Sequence, residues 1–184
     1  ILTLVPDLYI AWHAGISKWK NFKSINKNSI GIEISNPGHN NKYQNFTSKQ
    51  INSIVRLSKF LIKKYRVSYK YVLGHSDISP DRKKDPGEKF PWHYLSNKKI
   101  GYWHNLNQGK IVKQRNKRIS KKNKIIFIKN LYKIGYRQDS NNRVNNFNKI
   151  LSFAFQRRFR PELINGLIDK ECLLISKNLI KKLN

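Results

Sequence analysis

GHSDISPDRKKDPGEKFPW, from Gly74 to Trp92, sets His75, Lys83 and Asp85 at fixed spacing within one loop. The short apolar run Tyr71-Val72-Leu73 before it predicts a strand, and the proline- and glycine-bounded stretch after it allows Asp85 to fold back towards His75. Taken singly, a surface histidine and a turn-capping aspartate are the plainer readings. As a pair, imidazole and carboxylate are the ordinary donors of a hydrolytic zinc site, and the stretch reads as half of one.

Upstream, Ser29 to Ile34 alternates Ile30, Ile32 and Ile34 with Ser29, Gly31 and Glu33, which predicts a strand with Glu33 turned away from the isoleucine face. Thr47-Ser48-Lys49-Gln50 has the form of a capping box, and Ile51, Ile54, Val55, Ile62 and Tyr65 follow at helical spacing. Strand, helix and strand together predict an α/β layer, a mixed sheet flanked by helices with its chemistry at strand ends and loops. Downstream, GKIVKQRNKRISKKNK at 109–124 is poor in apolar residues and reads as a basic linker or solvated face. Beyond it, Phe147, Ile150, Leu151, Ala154 and Phe155 form one helical stripe, Pro161 to Gly166 a turn, and Asp169 an N-cap for a last helix. The expected organisation is residues 1–108, a linker at 109–124, and a small three-helix domain at 125–184.

Four segments in this order resemble the zinc-dependent N-acetylmuramoyl-L-alanine amidases of the AmpD/AmiD type. They are AWHAGIS at Ala11 to Ser17, NSIGIEISNPG at Asn28 to Gly38, the GHSD loop, and AFQRRFRPELINGLID at Ala154 to Asp169. The last is similar to the peptidoglycan-binding domain that follows the AmiD catalytic domain. The resemblance implies that His75 and Asp85 bind Zn2+, that Glu33 is the general base, and that Lys83 stabilises an oxyanion near the scissile carbonyl. It places the substrate against Trp12, His13 and Asn36. It also implies a third zinc ligand, a histidine upstream of AWHAGIS, where this chain has not yet begun, and His13 is the alternative third donor. The expected activity is hydrolysis of the amide between N-acetylmuramic acid and L-alanine. The expected partner is peptidoglycan or its muropeptides. A non-catalytic wall-binding remnant that lacks the first ligand is the competing expectation.

Composition narrows the setting. A chain of 184 residues with 39% hydrophobic content suits one domain of about 110 residues beside a smaller one. A net charge of +28 would by itself suggest a nucleic acid or an anionic surface. However, the chain is crowded with Lys, Asn and Ile, whose codons are AT-rich, so much of that charge is read as base bias. No helix-turn-helix, zinc-finger or RNA-recognition motif accompanies it, and no nucleic-acid partner is expected. The single cysteine, Cys172, lies in an apolar helical pattern and reads as a buried structural thiol. The chain starts at Ile1 inside a strand-like stretch with no methionine anywhere, so an N-terminal part with any export signal or lipid anchor is expected to be missing. A monomer in the periplasm or at the outer membrane of a Gram-negative cell is the expected form.

Overall fold

The computed structural model describes residues 1–138 and 146–183. Its regular elements are β1 (Lys18–Trp19), β2 (Phe22–Lys23), a 3-10 turn (Ile25–Asn28), α1 (Ser48–Lys64) and a second 3-10 turn (Tyr69–Tyr71). There follow α2 (His75–Ile78), α3 (Trp92–Asn97), α4 (Gln108–Val112), α5 (Lys121–Ile134), α6 (Phe147–Phe159) and α7 (Lys170–Leu183). The architecture is α/β but mostly helical. The sheet among the described residues is one antiparallel pair, Lys18 opposite Lys23 and Trp19 opposite Phe22.

The mixed sheet expected from the sequence is therefore corrected. Ser29–Ile34 has no regular structure, and the Tyr71–Leu73 run begins as the end of a 3-10 turn capped by the Ser68 hydroxyl. A period-two pattern says which face a strand would bury, but a strand exists only where a neighbour takes its N–H and C=O groups. Neither run has such a neighbour among the described residues.

Local signals fared better. The capping box at α1 forms as read: Gln50 N–H donates to Thr47 Oγ1 at 3.2 Å and Thr47 N–H to Gln50 Oε1 at 2.8 Å. Ile54 is buried on its inner face, with Ile51, Val55 and Ile62 packed beside the core. Asp169 caps α7 by accepting the Cys172 N–H at 2.9 Å. Cys172 itself is fully buried, and burial pushes its thiol up to about 12, which leaves it an inert packing group.

The core is densest where α5, α6 and α7 meet. Phe155 lies 5.0 Å from Phe127 and 5.1 Å from Phe159, ring centre to ring centre, and Phe159 reaches on to Tyr102 and Trp103 at 5.6 Å each. Charged groups are sunk in this core, but in pairs: Arg160 meets Asp169 at 2.6 Å, and Arg115 meets Glu171 at 2.7 Å. Arg115 lies in the basic 109–124 segment, which also buries Ile111 and whose Lys117 carbonyl accepts the Lys170 N–H at 3.0 Å. That segment is thus pinned on α7 at several points. No helix among the described residues is long and apolar enough to cross a membrane.

Candidate active site

His75 opens α2, directly after Gly74. Its Nε2 lies 3.2 Å from the Ala14 carbonyl, and since a carbonyl only accepts, Nε2 carries a proton. In the neutral ring Nδ1 then holds a lone pair, and it faces Asp85 Oδ2 at 3.1 Å. Asp85 is brought there by its own backbone, whose carbonyl accepts the Ser76 N–H at 2.8 Å. Two acceptors so close call for a cation, either a proton on Nδ1 or a metal. Two donors on one tetrahedral zinc at about 2.0–2.1 Å are themselves separated by about 3.3 Å, so this pair fits zinc as two of its ligands. The Nε2–H bond to Ala14 is the outer bond that ordinarily fixes a metal-binding imidazole. Burial raises the Asp85 carboxyl, but the His75 ring and the Lys83 charge outweigh it and hold it below its ordinary value.

No third His, Cys, Asp or Glu joins these two among the described residues. His13, the alternative third donor, is not grouped with them. Its Nδ1 is 2.9 Å from the Ala11 carbonyl and its Nε2 2.9 Å from Ser29 Oγ, so both ring nitrogens are already engaged.

The pair borders an open groove of about 880 Å³ that His13, Glu33 and Asn36 also border. Glu33 is exposed and its carboxylate has no bonding partner among the described residues. Ile30, Ile32 and Ile34 border the same groove, so the two-faced separation expected of a strand does not hold. Asn36 spends its amide on its own loop, donating to the Gln44 carbonyl at 3.0 Å and accepting the Gly38 N–H at 3.0 Å. Lys83 is half-buried, off the groove border but near enough for its charge to act on Asp85. Trp12 is 85% exposed and also off the border, whereas Trp92 is buried and on it.

Several contributors escaped the sequence reading. Arg82, the residue before Lys83, donates to the Ile16 carbonyl at 2.7 Å and to the Ala14 carbonyl at 3.3 Å. It thereby ties the AWHAGIS segment to the His75 loop at the same carbonyl that His75 uses. Ser79 adds a bond to Ile16 at 2.6 Å, and Asn26 Oδ1 accepts the Ala14 N–H at 2.7 Å. Also bordering the groove, Tyr43 donates to the Pro86 carbonyl at 2.6 Å and stacks on His39, which bonds Glu88 at 2.9 Å. Gly87 makes this approach possible: its φ of +81° suits glycine, and a Cβ there would collide with the Tyr43 hydroxyl. No local pattern could have revealed these bonds, because each joins segments far apart in the chain.

The geometry can be set beside known proteins. The family described as N-acetylmuramoyl-L-alanine amidase, Amidase_2, matches residues 1–88. AmiD of Escherichia coli K12 is 33% identical over 187 residues, covering 99% of this chain and 67% of that protein. The chain belongs to the N-acetylmuramoyl-L-alanine amidase family. The AmpD amidase of Haemophilus influenzae is 42% identical over 91 residues, and this match spans 48% of the chain and 47% of that protein, about half of each. Among solved structures, E. coli AmiD in complex with anhydro-N-acetylmuramic acid-L-Ala-D-γ-Glu-L-Lys superposes with a TM-score of 0.85 at 32% identity, over 98% of this chain and 72% of that one. AmpDh3 of Pseudomonas aeruginosa, solved with an anhydromuramic pentapeptide, gives 0.85 at 31% identity over 99% of this chain and 73% of that one. α5, α6 and α7 lie beyond the residues that the amidase family matches.

Proposed function

We propose that this chain is a zinc-dependent amidase of cell-wall turnover, cleaving the amide between the lactyl group of N-acetylmuramic acid and L-alanine of the stem peptide. The observation that carries this reading is the His75–Asp85 pair, its Nε2–H fixed on Ala14 and its two acceptor atoms facing each other at 3.1 Å on the groove border. His75 and Asp85 would hold the metal, which when bound lowers the pKa of a water and polarises a carbonyl. Glu33, a carboxylate on the same groove, takes the proton of the attacking water and hands it to the leaving amine. The Lys83 ammonium offsets the charge that develops on the carbonyl oxygen. Tyr43 and His39, which border the same groove, are placed to contact the muropeptide. The helices after residue 120 hold the enzyme on its polymer, raising the local concentration of scissile bonds. Because that polymer lies outside the cytoplasmic membrane, the enzyme acts in the periplasm or at the outer membrane.

A second reading has its own observation, the two-donor set. A wall-binding protein without turnover would keep the groove and the helices with only the two donors found among the described residues. Mass spectrometry of muropeptides incubated with the chain and zinc separates the two. Free stem peptide that disappears with a chelator and with Glu33→Gln establishes the amidase. An unchanged muropeptide that co-sediments with folded protein establishes the binder.

A further inference from the structure

Asp77 lies two residues beyond His75 and is 1% exposed. One of its oxygens, Oδ2, accepts the Gly74 N–H at 2.8 Å, which ties the carboxylate to the residue before His75. The other bonds come from distant parts of the chain. The Arg158 guanidinium of α6, itself buried, forms a short ion pair with Oδ2 and donates to the Val72 carbonyl at 3.0 Å. It lies over Trp92, 4.1 Å from the ring centre. Tyr136, just past the end of α5, donates its hydroxyl to Oδ1 at 2.8 Å.

The residues around Tyr136 reach both the β1–β2 segment and the loop after His75. The Gly135 carbonyl accepts the Lys20 N–H at 2.8 Å, Tyr136 packs on Trp19 at 5.1 Å, and Arg137 pairs with Asp81 at 2.8 Å. Gly135 has a φ of +145°, and any Cβ there would strike the Trp19 indole. The same C-terminal helices therefore hold both the segment that offers the Ala14 carbonyl and the turn that offers the His75 ring.

We infer that Arg158 and Tyr136 are positioning residues for His75: through Asp77 they fix the helix start from which the imidazole meets Ala14 and Asp85. The helices after residue 120 are then part of the site's frame, a role beyond holding the polymer. This rests on reading His75 as a metal ligand, and its test keeps the two apart. An ion pair between two groups so completely buried is costly to desolvate and has to be matched in geometry, which suits it to fixing an orientation. Supporting bonds of this kind ordinarily change metal affinity about 10–100-fold when removed.

The test compares Asp77→Asn/Arg158→Met, which removes the charges together, with Arg115→Met, which breaks an ion pair to Glu171 on the far helix. Zinc affinity of the whole chain is measured by competition with a chromophoric chelator, and the His75 ring tautomer by 15N shifts without metal. The expected result is a loss of about 10–100-fold in affinity and a mixed tautomer for the double variant. Arg115→Met keeps both at wild-type values, and Arg158→Lys restores part of the loss. Wild-type affinity and tautomer in a folded double variant overturn the inference. Should the wild-type chain itself bind no zinc, the metal reading falls and the tautomer alone decides the positioning role. If the double variant does not fold, Tyr136→Phe, which removes a single hydroxyl, is put to the same two measurements.

Discussion

Residues 1–47 and the three C-terminal helices are built on different physics. In the first, Ala14, Trp19 and Ile25 are the buried apolar side chains, while Leu2, Leu8, Trp12 and Ile16 are largely exposed. In the second, Phe127, Leu131, Leu151, Phe155, Ile175 and Leu179 have essentially no exposure. The functional groups divide along the same line. The proposed metal donors sit on a loop anchored to the packed side through Asp77, whereas Glu33, His13 and Asn36 ride on the open side. In this arrangement a metal at the proposed site would be held from the packed side, while Glu33, His13 and Asn36 would be freer to adjust. Local opening should cost little in residues 1–47 and approach the global unfolding energy in the helices.

The largest expected effect tests that contrast directly. Phe155→Ala, which empties a site between two other phenylalanine rings, is expected to cost about 3–5 kcal/mol in urea unfolding. Ile32→Ala, at an exposed position on the groove, is expected to stay within about 0.5 kcal/mol. Equal losses would mean that the open region is as cooperative as the core.

On the chemical side, Lys83→Met is expected to lower turnover about 100- to 1,000-fold at unchanged unfolding midpoint. A drop confined to KM would instead make Lys83 a substrate contact.

The packed side should also be the source of acid sensitivity. His104 is buried, and neither ring nitrogen has a bonding partner among the described residues. Burial first, then His93 and Lys182, push it down to about 4 from 6.5. Its folded pKa lies below the unfolded one, so the unfolded chain binds the extra proton between those values. Stability is full above pH 6.5 and falls as pH drops towards 4, by about 3 kcal/mol at most. Denaturant titrations at pH 7.5 and 4.5 check this, and the slope should flatten in His104→Phe.

The smallest effect concerns the helix that joins the two regions. Thr47→Ala removes the N-cap acceptor of α1 and is expected to cost about 1 kcal/mol, read from the same unfolding curves. A negligible cost would show that α1 draws its stability from Ile54 and its packed neighbours alone.

What was legible in the sequence follows from range. The caps at Thr47 and Asp169 were readable because donor and acceptor lie three residues apart. The stripe from Phe147 to Phe155 was readable because helical periodicity is set by the backbone itself. The strands were not, since Ser29–Ile34 can be a strand only if some distant segment pairs with it. At the site, His75 and Asp85 share one loop and were visible as a pair. Arg82 and Arg158 were not, because Ala14 is 68 residues from the one and Asp77 is 81 from the other. A basic run reads as solvated until its buried partner is known, and composition cannot name that partner.

The groove beside Glu33 also bears on how copies of this molecule behave together. Its border is largely apolar and open to water, yet each copy carries a net charge of +28. At low ionic strength, like charges keep two such grooves from meeting. At about 1 M salt the Debye length shrinks to about 3 Å, that repulsion ends at the surface, and apolar attraction takes over. Ionic strength thus acts as a colloidal dial, with copies held apart at one end and that repulsion screened at the other.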